Sequence, residues 1–233
     1  MNAAVIIPVY NHQQQVGTVI GAAQKLNLPV FVVNDGSTDS TPELIKQISN
    51  ISLLHHSLNR GKGAAILTGF AAAAEQGFSW AITIDADGQH DPNDARNLLA
   101  AVPDGRRAIV VGKRQGMAGE NVPWTSRFGR WFSNFWVWVS GGPFITDSQS
   151  GFRLYPLPES LRLNVKAARY QFEVEILVKA KQAGIEILET PVSVIYQPKG
   201  MRVSHFRPWL DFWRNSTTFC RLICSRIFGM KQK

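Results

Sequence analysis

The chain is short of cysteine, of long apolar runs and, toward its end, of acid. Cys220 and Cys224 are its only cysteines. Four residues apart and alone, they supply neither a structural zinc set nor a disulfide framework, and they point to a reducing compartment. No stretch approaches the ~18 uninterrupted apolar residues of a membrane span, so no transmembrane helix is expected. The opening MNAAVIIPVYN has no basic residue and soon meets Pro8 and Asn11, so no signal peptide is expected. No G-x-G-x-x-G follows the first apolar run, which argues against a dinucleotide-dependent oxidoreductase. NRGKGAA (59–65) lacks the G-x-x-x-x-G-K-[ST] spacing of a nucleotide-hydrolase phosphate loop. From residue 199 onward Asp211 is the single acid, against Lys199, Arg202, Arg207, Arg214, Arg221, Arg226, Lys231 and Lys233. The net charge of +8 therefore belongs almost wholly to this segment, where an anionic partner is expected.

What is present suits one folded α/β domain. The 233 residues are 45% hydrophobic and 18% charged. AAVIIPV (3–9) is continuously apolar, as for a strand buried on both faces. VGTVIGAAQKL (16–26) has helical spacing, and PVFVV (29–33) is a second strand. A helix start follows at Pro42 and Glu43. NISLLHH (50–56) reads as a third strand, 63–77 as an alanine-rich helix closed by Gly77, and WAITI (80–84) as a fourth strand. PNDARNLLAAV (92–102) is a helix and AIVVG (108–112) a fifth strand. Alternating strands and helices imply a mostly parallel, doubly wound sheet, in which ligands bind beyond the carboxyl ends of the strands. Polar residues stand at four such ends: Tyr10-Asn11, Asn34-Asp35, Asp85-Asp87 and Lys113-Arg114.

Asp85 and Asp87 close a strand one residue apart. Carboxylates held that near repel, and one takes up a proton unless a cation is shared. Oxygen ligands on a loop suit Mg²⁺ or Mn²⁺, which keep open positions for phosphate oxygens. The alternative is that both acids cap the following helix.

IIPVYN (6–11), VVNDGSTDST (32–41), NRGKGAA (59–65) and TIDADGQHDP (83–92) occur in this order, followed by DSQSGFRLY (147–155) and QFEVEILVKAKQAG (171–184). Together they resemble the inverting family 2 glycosyltransferases of GT-A-type fold, and look closest to their dolichyl-phosphate-mannose-synthase-like branch. The resemblance covers residues 4 to about 207. It implies a GT-A-type catalytic domain over 1–207, a Rossmann-like, mostly parallel sheet flanked by helices. The remainder, 208–233, is a basic amphipathic helix. It further implies that Pro8, Tyr10, Asn11, Asp35, Asp85 and Ala86 hold a nucleotide-sugar donor, and that Asp87 and Gln89 bind the metal. His12 stands where the family often has glutamate.

The implied reaction is attack of an acceptor on the anomeric carbon with loss of a nucleoside diphosphate, whose growing charge a metal ion and cations stabilise. Asp87 with its metal is the first candidate for that task. Lys199 and His205 are the second, because KGMRVSH resembles the family's basic loop over the diphosphate. A lipid phosphate, most simply a polyprenyl phosphate, attacks without losing a proton, whereas a hydroxyl acceptor needs a base. Glu173 matches the acid that serves as base in hydroxyl-glycosylating relatives. Glu175 is expected to face solvent, since residues i and i+2 of a helix do not share a face. Arg114, Arg127 and Arg130 are candidates to grip an acceptor phosphate. Asp147 and Arg153 either shape the acceptor side or pair with each other. The remaining readings are transfer to a hydroxyl of a glycan or lipid, and a non-catalytic nucleotide-sugar-binding adaptor.

WTSRFGRWFSNFWVWVSGG (124–142) holds four of the seven tryptophans, residues that favour a membrane interface. In 207–231, positions 209, 212, 213, 216, 219, 220, 223 and 227 fall near one helical face, with Cys220 and Cys224 counted in the apolar side. A basic amphipathic helix lying on anionic lipid is expected, which places the protein at the inner face of the cytoplasmic membrane; the alternative is a helix packed on the domain's own core. No nucleic-acid motif is present.

Overall fold

Alternate residues of the first strand feed two different cores. In β1 (Ala3–Val9), Ala4 and Ile6 enter one apolar cluster and Ala3, Val5, Ile7 and Val9 another. A strand covered on both faces has no polar position to alternate with, which is why its sequence is unbroken. The computed structural model describes residues 1–115, 124–195 and 208–227, and at 124–128, 208–215 and 225 the backbone only.

The elements run β1, α1 (Val16–Gln24), β2 (Val30–Asp35), α2 (Thr41–Lys46), β3 (Ser52–His56), α3 (Lys62–Glu75), β4 (Trp80–Thr83), α4 (Ala95–Ala100) and β5 (Ala108–Arg114). Then come α5 (Trp124–Val139), β6 (Arg153–Pro156), α6 (Glu159–Arg162), α7 (Phe172–Gln182), β7 (Glu186–Val192) and α8 (Pro208–Ile227). They build a seven-stranded sheet in the order β3-β2-β1-β4-β6-β5-β7. All five strands expected from the sequence are present. β6 and β7 extend the sheet. β6 runs antiparallel to both β4 and β5, while the other pairs are parallel. α3, α5, α7 and α8 cover one face; α1 and α4 cover the other.

Strand order reverses at β1, with β2 and β3 to one side and β4 to the other. That is the switch point where such sheets open into a ligand crevice. Pro8 suits this edge. Ile6 turns its carbonyl toward β4, where it accepts from Ile84 N–H, so Pro8 two residues on turns the same way. The last β1–β4 pair is Ile6–Thr83, so the N–H that proline lacks falls where the ladder has already ended.

α8 packs on the domain through Thr218, Phe219 and Leu222, all buried, with Phe219 beside Trp136 of α5 at 6.3 Å. Of the face expected from the sequence to lie on lipid, Phe219 packs inward instead. The inward stripe is 218, 219 and 222, whereas Cys220, Cys224 and Ile227 are exposed. Among the described residues no helix is long and apolar enough to cross a membrane.

Candidate active site

The crevice is built around the start of α3. Asp35 ends β2 and is buried. Its Oδ1 accepts from His56 Nδ1 at 2.6 Å and Arg60 N–H at 2.9 Å, and its Oδ2 from Gly61 N–H at 2.8 Å. The loop before α3 is thereby fastened to the end of β2. Gly61 sits at φ +102, and a Cβ there would stand 2.4 Å from the carbonyl oxygen of Ala168. Only glycine allows both that backbone and that approach.

Lys62, the first residue of α3, turns into the crevice. Its Nζ lies 2.7 Å from Asp85 Oδ1 and also donates to Glu173 Oε1 in the first turn of α7. Burial opposes the charge on Lys62, but the two carboxylates outweigh it and hold its pKa above the ordinary lysine value. Burial likewise works against an ionised Asp85, and the Lys62 ammonium prevails, so its carboxyl stays below the usual range. The cation opposite Asp85 is thus a lysine of the protein's own. No sequence signal nominated it, although it lies inside the NRGKGAA stretch.

Asp87 follows on the loop after β4, half-buried, with Oδ1 accepting from Gln89 N–H at 3.0 Å. The helical turn after this loop is capped by Asp91, whose Oδ1 accepts from Asn93 N–H at 2.9 Å. Capping therefore does not account for Asp85 or Asp87. Ala86 between them is buried, and Gln89 is half-buried with its carbonyl accepting from Ile195 N–H at 2.8 Å. His90 is buried against Phe152. Burial drives its pKa down to about 4, with Asp85 opposing and Arg114 and Lys62 assisting, so the ring is neutral near pH 7. No cluster of three or more His, Cys, Asp or Glu suited to a metal occurs among the described residues. With Asp85 held by Lys62, the ligands expected from the sequence are the Asp87 carboxylate and the Gln89 amide oxygen. That two-oxygen set fits Mg²⁺, which is commonly held by one or two carboxylates, water and substrate phosphate.

At the mouth of the crevice, Asn11 (φ 53) ties the turn after β2: its N–H donates to Ser37 Oγ and its Oδ1 accepts from Thr38 N–H at 2.8 Å. Tyr10 is half-buried beside it. Arg114 ends β5 and grips Asp147 with two parallel bonds, Nε to Oδ2 and Nη2 to Oδ1, both 2.8 Å. Asp147 is fully buried, and Glu189 of β7 accepts from its N–H. Asp147 and Arg153 do not pair with each other. Arg153 is also fully buried and donates to the carbonyls of Ser148, Ser150 and Glu173.

Glu175 corrects a second expectation. It does not face solvent but is fully buried, accepting from Lys166 N–H, Ala167 N–H and Arg221 of α8, with Lys179 Nζ at 3.4 Å. The i, i+2 offset does separate the two acids: Glu173 turns to α3 and Glu175 to α8. Lys199 and His205 lie outside the described residues, as do the side chains of Arg127, Trp209, Phe212 and Trp213.

A doubly wound α/β domain whose switch point gathers acids, amides and a buried lysine has the crevice in which sheets of this class bind their ligands. The chain belongs to glycosyl transferase family 2, whose model matches residues 4–159. Among curated proteins it is 31% identical to a UDP-N-acetylglucosamine--dolichyl-phosphate N-acetylglucosaminyltransferase of Methanococcus voltae, with 84% of this chain and 86% of that protein covered. It is 29% identical to a polyprenol monophosphomannose synthase of Mycolicibacterium smegmatis, with 84% and 78% covered. Among solved structures, S. aureus TarS in complex with UDP superposes with a TM-score of 0.55 at 17% identity, covering 100% of this chain and 67% of that one. That last likeness concerns the fold alone.

Proposed function

We propose that this protein transfers a sugar from a nucleotide-diphosphate sugar to a polyprenyl-type lipid phosphate. The two curated relatives are named for such acceptors. The observation that carries the choice of acceptor is the pairing of Glu173 with Lys62. Glu173 is the acid that a hydroxyl acceptor would require, and its Oε1 is engaged by the Lys62 ammonium instead of standing open to an acceptor. A phosphate oxygen is already charged and attacks directly.

In this reading Asp35, Asp85, Tyr10 and Asn11 border the donor. Asp87 and Gln89 would hold Mg²⁺ or Mn²⁺, which when bound supplies positive charge beside the departing diphosphate. Lys199 and His205 are proposed to add cationic support there. Arg114, oriented by Asp147, is proposed to contribute its positive charge to an acceptor phosphate. The lipid tail is expected at the surface of α5. Trp131, Phe135 and Trp138 recur there at i, i+4 and i+7 and are 61%, 42% and 55% exposed, and Phe144 beyond the helix is 90% exposed. Such a stripe, with the basic residues of the C-terminal segment, suits peripheral attachment to an anionic cytoplasmic membrane face.

The test is transfer from radiolabelled UDP- and GDP-sugars to undecaprenyl phosphate with Mg²⁺, read by extraction of the lipid product. Asp87→Ala is expected to lower turnover by roughly a hundredfold or more. Glu173→Gln is expected to cost less than about tenfold, because loss of a true general base costs ~10²–10⁴. A thousandfold loss in Glu173→Gln would refute the phosphate acceptor.

A further inference from the structure

Three segments far apart in sequence meet at one nitrogen. Lys62 leads α3, Asp85 follows β4 and Glu173 opens α7, and the Lys62 ammonium touches both carboxylates. The two acids therefore stand no further apart than two hydrogen bonds laid end to end. The surroundings are shaped to this contact. A Cβ on Gly151 would stand 2.4 Å from Asp85 Oδ2 and 2.6 Å from Lys62 Nζ, so the 147–151 turn lies directly against the pair and a side chain at 151 would have to displace it. Thr83 Oγ1 donates to the Gly151 carbonyl at 2.6 Å and holds that turn against the end of β4. On the other side a Cβ on Gly63 would stand 2.6 Å from Phe172 Cβ, so α3 and α7 meet without a gap. The backbone before Lys62 is bolted to Asp35 through Arg60 and Gly61 N–H.

We propose that Lys62 is a positioning residue of the transfer site, whose ammonium clamps Asp85 beside the donor crevice to Glu173 at the head of α7 and thereby sets where the donor-facing carboxylate stands. The proposal rests on the donor reading above in one respect, that Asp85 borders the nucleotide. Without Lys62 two neighbouring carboxylates face each other unshared, and Asp85 is pushed from its place. If Glu173 is neutral, that push is absent. Removal of Lys62 is therefore expected to be rescued by removing the charge of Glu173. Loss of packing alone would give no such rescue.

The experiment is a double-mutant cycle of Lys62→Met, Glu173→Gln and the double variant. Its first readout is calorimetric binding of UDP and of GDP with Mg²⁺. Its second is the thermal midpoint of the unliganded protein. Lys62→Met is expected to weaken nucleotide binding roughly a hundredfold, with Glu173→Gln in the same chain recovering at least about tenfold. The double variant is also expected to melt above Lys62→Met. Gly151→Ala, which drives a methyl into the pair, is expected to weaken nucleotide binding as Lys62→Met does. Strictly additive effects in both readouts overturn the clamp. If the native protein binds neither nucleotide, the donor reading falls, while non-additive melting still decides the clamp by itself. Should Lys62→Met not fold, Asp85→Asn and Glu173→Gln form the same cycle: two acids sharing one ammonium give non-additive midpoints, and independent ones do not.

Discussion

Arg221 of α8 places Nη2 2.5 Å from Glu175 Oε2, a fully buried carboxylate in the first turn of α7. A carboxylate in that position exists only because its oxygens are filled, here by Arg221, Lys179 and the N–H groups of Lys166 and Ala167. The C-terminal helix is thus joined to the domain by charge as well as by Phe219 and Leu222.

Glu175→Gln is expected to destabilise the fold by about 3 kcal/mol, since an amide cannot accept from four donors at once. Arg221→Met should cost less, about 1–2 kcal/mol, because Lys179 remains beside the acid. Urea denaturation of the two variants checks the order. Equal costs would mean that Arg221 alone carries the contact.

His90 makes stability depend on acid. Its folded pKa of about 4 lies below the ordinary 6.5, so between these values the unfolded chain binds more protons than the folded one. Stability therefore rises with pH through that window and is lost as pH falls from about 6.5 toward about 4. The full loss from this one ring is on the order of 3 kcal/mol. Thermal midpoints recorded in EDTA across the window should fall with acid. The same series on His90→Phe, which keeps the packing on Phe152, should be flatter.

Arg114 and Asp147 test geometry against charge. Arg114→Lys keeps the cation but cannot reproduce the two parallel bonds to a buried carboxylate. A drop of about 2 kcal/mol in stability is expected, together with a raised KM for polyprenyl phosphate. An unchanged KM would remove Arg114 from the acceptor side.

The aromatic stripe of α5 is expected to govern membrane attachment. Replacing Trp131, Phe135 and Trp138 by serine removes exposed side chains, so the melting temperature should hold while sedimentation with phosphatidylglycerol vesicles falls at least roughly tenfold. Undiminished sedimentation would assign attachment to the C-terminal basic residues instead.

Much of this architecture was legible from residues alone. The two-sided strands announce themselves as unbroken apolar runs. The loops at their carboxyl ends announce themselves by Asn, Asp and Gly, because backbone leaving a buried strand must find polar partners at once. β6 escaped notice because it is four residues long and ends in proline, and β7 because its mixed burial gives no clean alternation. Helical spacing predicts that α8 is amphipathic, and within its apolar stripe Phe219 turns to the domain while Cys220 and Ile227 stay exposed. Helical spacing shows that a stripe exists, not which neighbour it meets.

The sequence by itself determined the strand–helix alternation, the ligand edge at the carboxyl ends of the strands and the membership of Asp35, Asp85 and Asp87 in it, because those follow from local periodicity and chain order. Only the tertiary structure decided what balances the charges: Lys62 for Asp85 and Glu173, Arg114 for Asp147, and Arg221 with Lys179 for Glu175. Most of these partners lie far apart in the chain; Lys62 and Glu173 are 111 positions apart. Lys62 meets Asp85 and Glu173 where the start of α3, the end of β4 and the head of α7 converge under the 147–151 turn. A buried ion must be neutralised by whatever the packing brings near, and that neighbour is a property of strand order rather than of any local pattern.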